Sequence, residues 1–200
     1  MCGICGELKF KEYSFSEEKL TTLIGSISNR GRDSNGIFRN DDIFLGHHRL
    51  SIIDTSNKSD QPMKVGNYII IFNGIIYNYI DLRNTLIKKG HVFNSSGDTE
   101  VILKMFIEYG NNCVNHLDGV FSFCIYDTTK KNIFLARDRF GIKPLYYSIN
   151  EKHIVFSSSA KGIINYKNNK QINPIALNYQ FTLHSVVPAP HTIISGINKL

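Results

Sequence analysis

The sequence has no long hydrophobic run. Its longest apolar stretches, such as Tyr68-Ile69-Ile70-Ile71-Phe72, fall far short of the roughly 20 apolar residues that a membrane-spanning helix needs. The N-terminus also lacks the basic-then-apolar pattern of a secretory signal. A cytoplasmic protein with no membrane partner is therefore expected. Cysteine is sparse: four residues at positions 2, 5, 113 and 124 are too scattered for a disulfide framework and are expected to be free thiols. Cys2 and Cys5 have Cys-x-x-Cys spacing, but no second ligand pair accompanies them, and residues three apart on a strand face opposite sides. No metal site is expected. Internal repeats, low-complexity tracts and linkers are missing too. What remains is 200 residues, 42% hydrophobic and 20% charged, enough for one compact domain with a sizeable core. The net charge of +6 raises nucleic acid as a partner, since clustered Lys and Arg neutralise phosphates. Here the pairs Lys88-Lys89 and Lys130-Lys131 lie apart, at an expected helix end and an expected hairpin turn. They read as solvated surface, and no nucleic-acid partner is expected.

Periodicity gives a coarse element order. Cys2 to Phe10 reads as a strand whose Gly3 and Gly6 let other backbone come close. Ser14-Phe15-Ser16-Glu17 resembles a capping box, and Leu20, Leu23, Ile24 and Ile27 follow at helical spacing. A hairpin is expected over residues 36–45, turning at Asn40-Asp41-Asp42. Tyr68 to Phe72 reads as a buried strand ending at Asn73-Gly74, a dipeptide common in turns. Helices are predicted from Tyr79 to Lys89, stopped by Gly90, and from Thr99 to Tyr109, stopped by Gly110, with Asp98 as N-cap of the second. From Val120 four short strands suggest an antiparallel meander, followed by small helices near residues 160–165 and 174–180 and a terminal extended segment. The whole reads as a single α/β (α+β) domain with mostly antiparallel strands.

The chemistry is concentrated at Met1-Cys2-Gly3-Ile4-Cys5-Gly6. Removal of Met1, which the small side chain at position 2 permits, would leave a cysteine bearing both a thiol and a free α-amine. An α-amine titrates near ~7.7 to 8.0 and a lysine near ~10.4, so at neutral pH the α-amine offers roughly a few hundredfold more free base. The thiol is the most nucleophilic side chain at its ordinary pKa. Nucleophile and base would then share one residue.

Three further segments complement Cys2: Arg49 in Gly-His-His-Arg-Leu-Ser-Ile-Ile-Asp, Asn73-Gly74 in Phe-Asn-Gly-Ile-Ile-Tyr-Asn, and Asp98 in Ser-Gly-Asp-Thr-Glu. With Leu117-Asp118-Gly119-Val120-Phe121-Ser122-Phe123, the run Ala136 to Tyr147 and the closing Pro190-His191-Thr192-Ile193-Ile194, they resemble, over essentially residues 2–200, the N-terminal glutaminase domain of asparagine synthetase. That domain is a class II glutamine amidotransferase of the N-terminal nucleophile (Ntn) hydrolase fold. The resemblance implies an αββα sandwich of mostly antiparallel sheets flanked by helices. It implies catalytic roles for Cys2, Asn73 and Gly74, the last two as oxyanion donors. It implies L-glutamine contacts from Arg49, Leu50, Ile52, Asn73, Gly74, Ile75 and Asp98. Arg49 would supply a planar, always-charged fork for the α-carboxylate, and Asp98 a carboxylate for the α-ammonium.

The pattern is departed from in places. Ile75 stands where an acid normally follows Asn-Gly, Asn29 and Arg32 alter the usual His-Arg-Gly-Pro-Asp loop, and Ser159 replaces a common acid. The 200 residues contain no Ser-Gly-Gly-x-Asp-Ser loop for ATP. No cofactor is expected for this domain; ATP and Mg would belong to an ATP-dependent synthetase domain that is expected to be missing here, either lost from cis by truncation or supplied in trans. A homodimer is compatible with the resemblance. Two other readings stay open: a catalytically impaired module that binds glutamine for regulation, and an Ntn hydrolase acting on another amide.

Overall fold

A computed structural model describes residues 1–168 and 170–200. In chain order the elements are β1 (Gly3–Lys9), α1 (Glu17–Gly25), β2 (Ser34–Arg39), β3 (Ile43–Arg49), β4 (Met63–Val65), β5 (Tyr68–Ile76), α2 (Tyr79–Lys88) and α3 (Asp98–Tyr109). They continue with β6 (Gly119–Asp127), β7 (Asn132–Arg137), β8 (Tyr146–Ile149), β9 (His153–Ser157), α4 (Ala160–Lys167), α5 (Pro174–Thr182) and β10 (Asn198–Lys199). One sheet has the order β10-β8-β9-β1-β3-β2, the other β4-β5-β6-β7, and every pairing is antiparallel.

Side-chain alternation explains the layering. On β1, Ile4 and Leu8 face the other sheet, meeting Ile69 and Ile71 of β5 and Cys124 and Tyr126 of β6 in the central core. Cys5, between them, points the opposite way, into a cluster with Leu20 and Leu23 of α1 and Ile163 of α4. On β5, Ile70, Phe72 and Ile76 face outward against Ile102 and Leu103 of α3. Helices thus cover the outer face of each sheet, and the expected αββα sandwich is what the chain forms. Both faces of β5 are buried, which is why its sequence reads as an unbroken apolar run rather than an alternation.

Several boundaries differ from the sequence reading for identifiable reasons. Ser16, not Ser14, caps α1, its hydroxyl accepting the Lys19 backbone N–H at 3.4 Å. Asp98 is the first residue of α3, and Gly97 is the N-cap. The four strands after Val120 are not one meander: β6 and β7 stay in the β5 sheet, whereas β8 and β9 cross to the β1 sheet. The most consequential correction is at Asn73-Gly74, where β5 does not turn but runs on to Ile76 in register with β6, Gly74 opposite Phe121. A Cβ at position 74 would lie 2.3 Å from the Val120 carbonyl oxygen and 2.7 Å from the Phe121 Cα. The glycine serves a close backbone approach, not a turn.

Candidate active site

The ends of β1, β3 and β5 meet the start of α3 at one edge of the sandwich, around a small cleft that is partly open to solvent. Cys2, Arg49, Leu50, Ile52, Asn73, Gly74, Ile75 and Asp98 all line it. Every residue proposed for the site from the sequence is therefore in one place. Met1 lines the cleft as well.

Cys2 immediately precedes β1. Its Sγ accepts the Leu50 backbone N–H at 3.3 Å and lies 3.5 Å from the Leu50 carbonyl oxygen. Burial pushes the thiol pKa up, while the Leu50 amide, the terminal ammonium and Arg49 pull it down. Leu50 thus meets the sulfur through its backbone, while its side chain is exposed. The Cys2 carbonyl accepts from Arg30 Nε at 3.0 Å. Arg30 was not singled out from the sequence, although a cation beside Gly31 was a usable signal. A Cβ at position 31 would lie 2.4 Å from the Arg49 carbonyl carbon, so this loop is pressed against the end of β3.

Arg49 is 5% exposed and held by its own surroundings. Nη1 donates to the Ser56 carbonyl at 2.9 Å and to Asp60 Oδ1 at 2.8 Å, and Nη2 donates to the Asp54 carbonyl. A guanidinium has five N–H donors. Those bonds fix its plane and leave two donors, the number a carboxylate takes in a bidentate contact. Asp54 itself accepts from Ser56, Ser59 and Ser96. Burial opposes its ionisation, but the Ser56, Ser96 and Ser59 bonds outweigh burial and hold its carboxyl far below the usual range.

The floor of the cleft is an unpaired strand edge. β4 pairs with β5 only from Tyr68 to Ile70; beyond that, among the described residues, no strand lies on this side of β5. Successive backbone N–H groups of a strand point to alternate sides, so those of 72, 74 and 76 share the open edge. The Phe72 N–H donates to Gln61 Oε1 at 2.6 Å, and the Ile76 N–H donates to Asp98 Oδ2 at 3.1 Å. Gly74 lies between them, its N–H facing the same cleft. Beside it the Asn73 carboxamide Nδ2 is buried and has no hydrogen-bond partner among the described residues. A buried donor without an acceptor is costly, on the order of 1–3 kcal/mol, a cost that an acceptor entering the cleft would relieve.

Asp98 closes the cleft from α3. Burial raises its carboxyl to about 6, against the Ile76, Asp98 and Thr99 backbone N–H groups that lower it. Its Oδ2 accepts the Ile76 N–H, which ties the start of α3 to the end of β5. Ile75 and Ile52 add apolar wall, and Ile52 is largely exposed at the rim. His47, also missed as a contributor, bridges the two sheets: its Nε2–H donates to the Phe72 carbonyl at 3.1 Å. Burial pushes its pKa down to about 4, so it is neutral near pH 7 and suited to hold backbone rather than to move protons.

The family profile described as glutamine amidotransferase domain matches residues 1–200. The chain belongs to this family. This amidotransferase domain is 38% identical to a putative asparagine synthetase [glutamine-hydrolyzing] 2 of Methanocaldococcus jannaschii, covering all of the chain and 42% of that protein. It is 37% identical to asparagine synthetase [glutamine-hydrolyzing] 1 of Bacillus subtilis, covering all of the chain and 32% of that protein. The domain thus spans less than half the length of these relatives. Among solved structures it resembles glutamine phosphoribosylpyrophosphate amidotransferase from B. subtilis, with a TM-score of 0.69 at 20% identity over 83% of this chain and 44% of that one. That likeness shows a shared fold.

Proposed function

We propose that this domain hydrolyses L-glutamine to glutamate and ammonia through Cys2, after removal of Met1. The observation that carries the reading is the pair of donors at the cleft floor, the unpartnered Asn73 Nδ2 and the Gly74 N–H on the open edge of β5, lining the same cleft as Cys2. Donors already aimed at a site where negative charge develops are what acyl transfer requires. In the proposed course the α-amine of Cys2 takes the thiol proton and the sulfur attacks the side-chain amide carbon. The resulting oxyanion rests on Asn73 and Gly74. The α-ammonium returns that proton to the departing nitrogen, so collapse breaks the C–N bond, expels ammonia and leaves a γ-glutamyl thioester, which water, giving its proton to the same amine, opens through a second oxyanion to glutamate and the free thiol. Arg49 takes the substrate carboxylate, Asp98 its ammonium, and Leu50, Ile52 and Ile75 frame its methylenes. Every group in this course belongs to the chain or the substrate, so this half needs no cofactor.

The names of the relatives support a wider role: the ammonia would be used by an ATP-dependent synthetase half, in cis or in trans, to amidate aspartate or a related carboxylate. The test is glutamate release from glutamine by protein whose intact mass shows Met1 gone, repeated with Cys2→Ala. Release that vanishes in the variant supports the reading. No release from the processed protein supports a glutamine-binding module instead, and preference for a different amide supports another hydrolase.

A further inference from the structure

We propose that Gln61 is a positioning residue for this centre, setting the spacing between the oxyanion donors on β5 and the amine-binding carboxylate on α3. The assignment rests on the glutaminase reading above. Gln61 is 7% exposed and lies in the cleft wall. Its Oε1 accepts the Phe72 N–H at 2.6 Å, and its Nε2 donates to Thr99 Oγ1 at 3.2 Å. Phe72 directly precedes Asn73, and Thr99 directly follows Asp98. One rigid carboxamide therefore joins the residue next to the oxyanion donor with the residue next to the ammonium ligand.

The position of Gln61 is fixed from behind. A Cβ at Gly36 would come within 2.2 Å of the Gln61 carbonyl oxygen, so β2 backs directly onto this peptide. The partner groups also explain the residue type. An acceptor must face a backbone N–H while a donor faces a hydroxyl oxygen, and a carboxamide offers both on one plane. A glutamate would offer two acceptors and place a charge near the developing oxyanion. With the Phe72 carbonyl held by His47, both exposed backbone groups of Phe72 are clamped by side chains. The Asn73-Gly74 segment then enters the reaction already placed, where displacement by about 1 Å can cost on the order of 100-fold in rate.

Two variants divide the role into its two arms. Thr99→Val removes only the tie to α3, and KM for glutamine is expected to rise several-fold with kcat unchanged. Gln61→Met removes both ties, and kcat is expected to fall about 10- to 100-fold in addition. Glutaramate, which is glutamine without its α-amino group, should show the kcat loss in Gln61→Met and no response to Thr99→Val. Should Gln61→Met not fold, Gln61→Glu replaces it: the added charge is expected to lower kcat and to move the acid limb of kcat/KM above its wild-type position. A merely structural glutamine would lower the melting temperature of the variants and leave kcat and KM of the folded protein alone. That result, with an active wild type, overturns the positioning role and leaves the glutaminase reading standing. A processed wild type that releases no glutamate overturns both.

Discussion

Replacing Asp98 by asparagine is expected to make the protein more stable near pH 8 while weakening its hold on glutamine. The carboxyl has an ordinary value of 3.8 and is raised to about 6 by burial. Below pH 3.8 it is neutral whether the chain is folded or not, and contributes no difference. As pH rises, the unfolded chain ionises first, so folded stability falls, and above about pH 6 the loss is complete. At about 1.4 kcal/mol per pH unit, the gap corresponds to about 3 kcal/mol. An asparagine oxygen can still accept the Ile76 N–H that Asp98 Oδ2 accepts, without burying a charge.

The wild-type stability curve alone does not isolate this effect, because His47 pulls the other way. Its folded value is lowered from 6.5 to about 4, so acidification across that window favours the unfolded chain. The quantity to measure is therefore the difference in unfolding free energy between Asp98→Asn and wild type, by urea denaturation at pH 4 and pH 8. The expected difference is small at pH 4 and approaches about 3 kcal/mol in favour of the variant at pH 8. A variant that is no more stable at pH 8, or a difference independent of pH, would refute the assignment of Asp98 as a carboxylate held ionised against its surroundings.

Other expectations follow from the same geometry. Asn73→Ala removes the unpartnered donor at the cleft floor and should lower kcat for glutamine by about 100- to 1,000-fold with a smaller change in KM, read by steady-state glutamate release. Gly74→Ala drives a methyl into the Val120 carbonyl and should destabilise the fold by about 1–3 kcal/mol or more in denaturant titration, besides abolishing turnover. Arg49→Lys keeps the charge but loses the planar fork tied to Asp60, Ser56 and Asp54, so KM for glutamine should rise at least tenfold while glutamine at saturation still turns over. His47→Gln retains a donor for the Phe72 carbonyl and removes a group that favours the unfolded chain on acidification, so the variant should gain stability relative to wild type as pH falls from 6.5 to 4, read by urea denaturation at both values.

Residues whose chemistry is carried by identity and order were legible without the structure. Cys2, Arg49, Asn73, Gly74 and Asp98 belong to motifs that name their neighbours, and all of them reach the cleft. Helices bounded by glycine were legible too, since Gly90 and Gly110 have positive φ that few other residues adopt. Gln61 and His47 were not, because nothing local distinguishes them, and Arg30 was passed over although Gly31 beside it was a signal. Their partners lie 11 to 38 residues away, and what makes each matter is a backbone group that a missing or ended strand leaves unmet. Asn73-Gly74 misled for a related reason: the dipeptide signals a turn by propensity, but the close approach of β6 demands the same glycine. Propensity gives the residue, and only the neighbouring strand tells which demand it answers.

The unpaired edge of β5 also bears on solubility. An edge strand with unmet N–H groups is a template on which another chain can add itself, and proteins commonly blunt such edges with charge, proline or cover. Here the N–H groups at 72 and 76 are occupied by Gln61 and Asp98, so an incoming strand would find its first and third anchoring points taken. Among the described residues, the middle position at Gly74 has no strand beside it on this edge and lies recessed in the cleft. A polypeptide adding itself as a strand needs the full row of anchoring points. Opening the flanks by mutation therefore threatens more than turnover, since it would turn a narrow recognition slot into a surface for intermolecular sheet growth.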